Sequence, residues 1–534
     1  MKTSKTLLFL LPTLFLVPAN LSAQSSNIVA EAEEAMLNAT RFMVEEVSTN
    51  GGYLWNYLPD MSRRWGEMEA YETMIWVQPP GTVSMTHTFL DAYQVTGQAY
   101  YFEAAEKAVE ALIWGQSEHG GWNYFIDFAG YRSMKKWYST IGKNGWRLEE
   151  FQYYYGNDTF DDDVTTEAAR VILRMYLENL DPKYKPALDK AINFILESQY
   201  PLGGWPQRYP LRYDYVKNGV PDYTSYYTFN DDVVWENIHF LVQCYLTLGN
   251  ERFLDPIRRG MNFYLLTLGG NPQAGWAMQH DMDLQPAQAR SYEPKSLSPT
   301  YTFSNAMFLI RFYEFTGDRR YLARIPDIIE WLEETKLDEK ASEDGYHVFP
   351  SFVELETNKP LYVHRRGSNV KHGEYYVDHK DEKLILHSSG KRTINLQLLI
   401  DEYERVKDLS PAEATKNSPL KSSRFKGEGT PQNDYDLYRT SFDLDTMPDE
   451  KTVREIIASL DEQNRWLTTQ VNTSNPYVGE GQKTELTEEY ATTNVGDKTD
   501  TSPYRDKSGQ KYISTRQYIR NMNLLLKFIE EYKD

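Results

Sequence analysis

The feature that most constrains this chain is a unit that keeps returning: apolar residues at helical spacing, a glycine turn, a second helical stretch, then glycine followed by an aromatic residue. Helical pattern over about 27–47 ends at Gly51-Gly52-Tyr53. Paired patterns at about 84–96 and 101–115 end at Gly120-Gly121-Trp122, and those at 164–178 and 184–198 end at Gly203-Gly204-Trp205. Pairs at 232–248 and 253–268, then 303–315 and 321–335, end at Gly275-Trp276 and Gly345-Tyr346. From Gly52 through Gly121, Gly204 and Gly275 to Gly345 the spacings are 69, 83, 71 and 70 residues. The inner turns match as well: Thr96-Gly97-Gln98, Leu248-Gly249-Asn250 and Thr316-Gly317-Asp318.

A single helical hairpin cannot bury its apolar face, so such units must stack. Weaker helical pattern at about 393–406 and 452–463, the latter ending at Asn464-Arg465-Trp466, continues the series. The last helix, about 514–531, lacks a partner downstream and the first lacks one upstream; pairing them closes a ring. The expectation is an all-α fold, an α/α toroid of about six helical hairpins, forming one catalytic domain over 24–534. Two polar runs, 409–450 and 468–511, read as surface excursions, and 346–390 has room for a short strand hairpin. Ring closure puts the long loops 116–163, 199–231, 269–302, 336–392 and 464–513 on one face, together with helix N-termini that favour anions.

Composition narrows the partners. With a formal net charge of -20 the chain has no basic stripe of the kind a nucleic-acid backbone needs, so no nucleic-acid partner is expected. An acidic polysaccharide remains open, since local Arg groups or a bridging cation override the overall field, and 40 Tyr with 12 Trp suit sugar faces or a large-ringed core. Residues 1–23 carry Lys2 and Lys5, an apolar run from Leu7 to Val17 and a small-residue end at Ala23, which reads as a secretory signal peptide. That run is too short to cross a bilayer, and no membrane span is expected elsewhere. The expectation is an exported protein, periplasmic or extracellular, and a monomer. Cys244, the only cysteine, lies on an apolar helical face and reads as a buried thiol.

Acidic clusters fall at matching places on the loop face. They are Thr159-Phe160-Asp161-Asp162-Asp163, Thr228-Phe229-Asn230-Asp231-Asp232, and Gln279-His280-Asp281 leading to Ala289-Arg290-Ser291-Tyr292-Glu293. Helix capping uses one Asp per helix, so three in a row is an excess, and a hard-cation site fed by two neighbouring hairpins is the alternative. His280 has no second His at ligand spacing and reads as packed; His87 and His239 read as core.

Gly-Gly-Trp-Pro-Gln at 203–207, Tyr-Thr-Phe-Asn-Asp at 227–231, and the downstream Gln-His-Asp and Ala-Arg-Ser-Tyr-Glu segments resemble the pectate lyases of polysaccharide lyase family 10. Thr159-Phe160-Asp161-Asp162 is similar to that family's Thr-x-Asp-Asn segment. The resemblance is good from about 110 to 330 and poor beyond 380. It implies an α/α toroid that cleaves polygalacturonate by calcium-assisted β-elimination. It implies a role for Asp161 and Asp231 around calcium and the scissile uronate, with Asp162 and Asn230 beside them on the substrate and Arg290 clamping a substrate carboxylate at the reaction centre. Asp232 is a further metal candidate, and Trp205 and His280 are candidates along the substrate, although the turn tryptophans Trp122, Trp205 and Trp276 read first as packing the turns. The family base is an Arg from the C-terminal part; here Arg366 is the first choice and Lys371 the second. Rival readings are a uronate-oligosaccharide hydrolase on the same scaffold and a non-catalytic polysaccharide-binding protein.

Overall fold

The structure, a computed structural model, describes residues 19–142, 149–212, 222–341, 343, 345–366, 374–382, 384, 390–421, 447–471 and 509–532, with backbone alone at 19–26, 365, 366 and 374. The helices are α1 (Ala19–Phe42), α2 (Thr82–Thr96), α3 (Ala99–Gly115), α4 (Tyr131–Thr140), α5 (Val164–Asn179), α6 (Lys185–Ser198) and α7 (Val233–Leu248). They continue as α8 (Leu254–Thr267), α9 (Pro299–Thr316), α10 (Ile325–Thr335), α11 (Leu396–Val406), α12 (Pro411–Ala414), α13 (Glu450–Ala458) and α14 (Thr515–Tyr532).

These elements form the expected α/α toroid. Along its inner wall α14 packs on α2, α2 on α5, α5 on α7, and α9 on α11. Trp235 of α7 stacks on Phe308 of α9 at 4.3 Å. Outside them α3, α6, α8 and α10 pack on α2, α5, α7 and α9. The first helix returns to the last, α1 against α14, with Thr40 Oγ1 and Tyr518 OH 2.6 Å apart.

The glycine turns have a steric cause. Gly203 has φ +111, and a Cβ there would lie 2.0 Å from the Arg259 carbonyl oxygen of α8. Gly120 meets Lys190 of α6 in the same way. Each turn therefore seats against the outer helix of the next hairpin, which only glycine permits. The aromatic residue that follows is equally fixed: the indole N–H groups of Trp122, Trp205, Trp276 and Trp466 donate to the carbonyls of Leu112, Ile195, Tyr264 and Ile456 at the ends of the preceding helices.

Short ladders tie neighbouring loops together on one face. Asp158–Thr159 pairs with Arg208–Tyr209, Tyr227–Thr228 with Gln279–His280, and Leu297 bridges to Val353. The 346–395 region holds more sheet than a single hairpin. Tyr346–Pro350 pairs with Lys391–Asn395, and Pro360–Arg366 lies between Phe352–Val353 and Glu374–Asp378. Leu361, Tyr362, Val363 and His364 are buried in succession, so the alternation that marks a half-buried strand is missing from the sequence. Helix α4 also goes unmarked: it is short and charged, though it buries Trp137 and Tyr138.

Residues 409–421, the first part of the polar run 409–450, pack on α9, where Tyr313 OH donates to Leu409 O and Ser418 Oγ to Phe315 O. Residues 422–446 and 472–508 lie outside the described residues, as does the apolar run of the proposed leader. Among the described residues no helix is long and apolar enough to cross a membrane. Cys244 is fully buried, and burial pushes its thiol well up from its ordinary value.

Candidate active site

Two copies of one turn build the site. Asp161–Asp163 and Asn230–Asp232 are single 3-10 turns leading into α5 and α7. In the first, Asp162 and Asp163 have φ of 49 and 59; in the second, Asp231 and Asp232 have 51 and 53. Left-handed backbone is costly for residues other than glycine, about 1–3 kcal/mol each, and the same pair of strained residues stands in both repeats. Capping is not what they do. Asp163 and Asp232 are the residues preceding α5 and α7, and neither makes a side-chain cap hydrogen bond. The ladders at 158–159 and 227–228, with Phe160 N donating to Gln207 O and Asn230 N to Met278 O, hold the two turns against each other.

Asp161 is the hub. Its Oδ1 accepts from Gln207 Nε2 at 2.6 Å, and its Oδ2 accepts from Tyr124 OH at 2.5 Å and Arg290 Nη2 at 2.7 Å. Full burial alone would raise its pKa, but Arg290 and hydrogen bonds from Asp231, Tyr124 and Gln207 bring it down to about 2. Asp231 goes the other way, raised well above the carboxylate range by burial and by the charges of Asp162 and Asp161. Burial and mutual repulsion thus pull the two acids apart, favouring the charged form at Asp161 and the neutral form at Asp231. Asp231 Oδ2 also accepts from Asn230 Nδ2 at 2.5 Å, while Tyr301 OH donates to Asn230 Oδ1 at 2.8 Å and receives Asp231 N at 3.0 Å.

Asp162 accepts from Gln78 Nε2 at 2.7 Å, and the same nitrogen reaches Glu67 at 3.0 Å. Burial, Asp161 and Glu67 push Asp162 well up. Asp232 is raised to about 6 by burial and then by Glu236. Asp163 Oδ1 is buried without a hydrogen-bond partner. Beneath these turns the inner helices carry a polar network in which Arg170 donates to Glu236 and Gln243 at 2.8 Å each, and Arg174 donates to Asp91 at 2.5 Å. His87, fully buried, belongs to that network through Arg174 and Glu167; His239 is only partly covered beside Glu236.

Several expected roles change. Arg290 was expected to clamp a substrate carboxylate, but its Nε, Nη1 and Nη2 go to Glu150 at 3.2 Å, Glu293 at 3.0 Å and Asp161 at 2.7 Å. It organises protein carboxylates. Asp161 was expected among the metal ligands, yet both of its oxygens are already engaged. Trp205 was expected along the substrate; it is fully buried and holds the turn, so its ring has no face for a sugar. His280 was also placed there, but it is 1 % exposed, its Nδ1 lies 3.1 Å from Leu284 O, and burial pulls it down to about 4. Arg366 ends the strand Pro360–Arg366 opposite Glu374, in a sheet that meets the Arg290 segment where Tyr375 and Tyr292 lie 5.9 Å apart. Lys371 lies outside the described residues.

Sequence reasoning missed Tyr124, Gln207, Glu150, Tyr301 and Gln78. Only Gln207, inside Gly-Gly-Trp-Pro-Gln, stood in a segment that drew attention. Among the described residues no three acid or imidazole groups converge as a ready-made metal cage. What the turns do offer is carboxyl groups from two neighbouring turns, Asp162 and Asp231, partly covered and crowded by negative charge. A calcium ion would relieve that crowding, taking its remaining oxygens from water and a bound anion.

Residues 133–381 match the family model described as pectic acid lyase. No curated protein matches the sequence. Among solved structures, a Family 10 polysaccharide lyase from Cellvibrio cellulosa is similar over 51% of this chain and 84% of its own, at 19% identity and a TM-score of 0.35. The cellobiose 2-epimerase from Bacillus thermoamylovorans is similar over 95% of this chain and 99% of its own, at 11% identity and 0.42. An alpha-1,6-mannanase from Salegentibacter sp. HEL1_6 covers 60% and 73%, at 12% identity and 0.30.

Proposed function

We propose that this chain, a polysaccharide lyase whose residues 133–381 belong to the pectic acid lyase family, is exported and cleaves polygalacturonate or a related uronate polysaccharide by calcium-assisted β-elimination. The observation that carries the reading is the duplicated left-handed turn, which sets Asp161 and Asp162 against Asn230 and Asp231 with Arg290 beside them. In β-elimination a base takes the proton on C5 of the uronate, the C4–C5 double bond forms from that electron pair, and the bond from C4 to the glycosidic oxygen breaks. When bound, calcium withdraws charge from the adjacent carboxylate and so makes the C5 proton more acidic.

Asp162 and Asp231 would hold that ion, and Asp231 would give up its proton to do so. Asp161 stays ionised and fixes Tyr124, Gln207 and Arg290 around the turn. Arg366 is proposed as the base, with Lys371 second. An Arg normally stays protonated, so a base of this kind needs its proton released by surrounding cations and desolvation. Asn230, buried and engaged by Tyr301 and Asp231, orients the second turn rather than meeting the substrate itself.

A second reading has support of its own: neighbouring carboxyls pulled in opposite directions, Asp161 held down by Arg290 and Asp231 pushed up by burial and its acidic neighbours, are also the pairing a uronate-oligosaccharide hydrolase would use. One assay separates the two. The mature protein is incubated with polygalacturonate, with calcium and then with chelator, and ultraviolet absorbance of the 4,5-unsaturated product is followed. Calcium-dependent absorbance is expected. Reducing ends without absorbance would favour the hydrolase, and binding without either would mark a non-catalytic polysaccharide-binding protein.

A further inference from the structure

On this acidic chain one groove gathers cations that have no acid partner among the described residues. It has a volume of about 840 Å³ and lies between α4 and the segment 152–156, lined by Tyr131, Lys135, Lys136, Tyr153, Tyr154 and Arg212 among others. Lys135, Lys136 and Arg212 are exposed. Among the described residues no carboxylate lies within 4.0 Å of any of the three. Elsewhere Lys183, Lys185, Arg259, Arg320 and Arg324 each stand against an Asp or Glu, whereas here three cations without such a partner among the described residues line one groove together.

The aromatic wall is built, not scattered. Tyr131 is 54% exposed, its ring lies edge to face with Tyr154 at 5.7 Å, and Lys135 Nζ sits 4.6 Å from the Tyr131 centroid and 5.8 Å from that of Tyr154. Tyr154 in turn meets Tyr138, which packs into the core beside Trp137. Behind the wall a further positive charge is buried. Arg208 lies over the rings of Tyr155 at 4.7 Å and Tyr124 at 5.3 Å, and its Nη2 has no hydrogen-bond partner. Exposed phenol rings offer a flat apolar face with a polar edge, and cations at their rim fix carboxylates; together they suit sugar rings that each carry an acid group.

The groove is also tied through the chain to the candidate site. Glu150 binds Arg290, and the same segment continues through Gln152, Tyr153 and Tyr154 to Gly156. Six residues of chain reach at most about 20 Å, so the groove lies within a few sugar units of Asp161. We propose that it is a distal subsite for an acidic oligosaccharide, in which Lys135, Lys136 and Arg212 take carboxylates and Tyr131 and Tyr154 take ring faces. The inference rests on the reading of the chain as a uronate-polysaccharide enzyme, but its test does not require turnover.

The test compares the wild-type chain with K135Q/K136Q/R212Q by electrophoresis through gels containing polygalacturonate or a neutral polymer, hydroxyethylcellulose, with chelator present throughout. The substituted side chains are exposed, and circular dichroism and thermal melting check that the variant is folded. Wild type is expected to be retarded by polygalacturonate alone, with the apparent Kd rising about tenfold in the variant and the salt dependence becoming shallower. Y131A is expected to weaken retardation without altering its salt dependence. Equal retardation of wild type and triple variant by polygalacturonate overturns the proposal. Because no catalysis is measured, a chain that fails the absorbance assay still passes or fails here on its own.

Discussion

Replacing Arg290 with Gln tests whether one guanidinium holds the acidic centre together. Arg290 is 5% exposed and donates to Asp161, Glu150 and Glu293, which are themselves buried. Gln keeps a planar polar group but loses the charge and two of the three contacts. The drop of the Asp161 carboxyl from 3.8 to about 2 corresponds to roughly 2–3 kcal/mol of net favourable interaction with the charged form. Removing one partner from a buried ion pair typically costs about 3–5 kcal/mol, because the remaining charge is left uncompensated. At about 2.1 cal/mol/K per residue, a 534-residue chain has an unfolding entropy near 1.1 kcal/mol/K, so Tm should fall by about 3–5 °C at pH 7.5.

The pH dependence separates charge from shape. The folded pKa of Asp161 lies below its unfolded value, so its stabilisation is present above about pH 4 and is lost as pH falls through about 2. In Arg290→Gln, burial acts without its counter-charge, so the clustered carboxyls take up protons at higher pH and the penalty is relieved on acidification. Differential scanning calorimetry in chelator, from pH 7.5 to 4.5, should show the gap between wild type and variant narrowing by more than half. A gap that is the same at both ends would refute the electrostatic argument and leave only lost packing. Arg290→Lys, which restores the charge without the fork, should fall between the two.

Asp158, nearly buried against Ser117, has its pKa raised to about 6, chiefly by burial. A raised acid means stability falls as pH climbs from about 4 to about 6, by about 3 kcal/mol, and Asp158→Asn should flatten that slope in melting experiments. Gly203→Ala combines φ +111 with a Cβ 2.0 Å from Arg259 O, so a loss of at least about 1–3 kcal/mol is expected by thermal melting, whereas Gly270→Ala, which meets nothing within 4 Å, should be nearly silent. Trp205→Phe leaves the Ile195 carbonyl without its indole donor and should cost about 1–3 kcal/mol in stability with no specific change in substrate affinity. Asp231→Asn should lower the calcium-dependent lyase rate by about a hundredfold or more, measured by absorbance; an unchanged rate removes the turn from the proposed mechanism.

What the sequence revealed and what it hid divide along one physical line. Glycine turns, helical spacing and the alternation of inner and outer helices are local signals, and Gly97, Gly120, Gly203 and Gly249 all take the left-handed backbone their positions suggest. The acidic turns were visible for the same reason, as excess Asp at repeated places. Most of their partners were not, because Gln207 and Tyr124 reach Asp161 across 46 and 37 residues and no short pattern marks a contact at such range; Arg290, 129 residues away, was singled out through the family resemblance, but not its contact with Asp161. Trp205 stood between two readings: packing the turn, which its burial and its bond to the Ile195 carbonyl bear out, and stacking on a sugar, which a Trp in a polar loop also suggests and which the structure rules out.

The duplicated acidic turn therefore has a clearer logic than helix capping or cation binding alone. An Asp before a helix ordinarily caps it through its side chain, and that requires extended backbone at the cap. Asp163 and Asp232 are left-handed instead and make no cap bond, so the chain gives up about 1 kcal/mol of capping at each of two helices and accepts backbone strain as well. One strained turn would be an accident of packing. Two, brought together by matching ladders at 158–159 and 227–228, place carboxyls from adjacent repeats in a single buried cluster, which no isolated hairpin can do. The repeat is thus the means by which two ordinary helix starts become one charged centre, and the strain is concentrated where the neighbouring acids push Asp162 and Asp231 toward the protonated form.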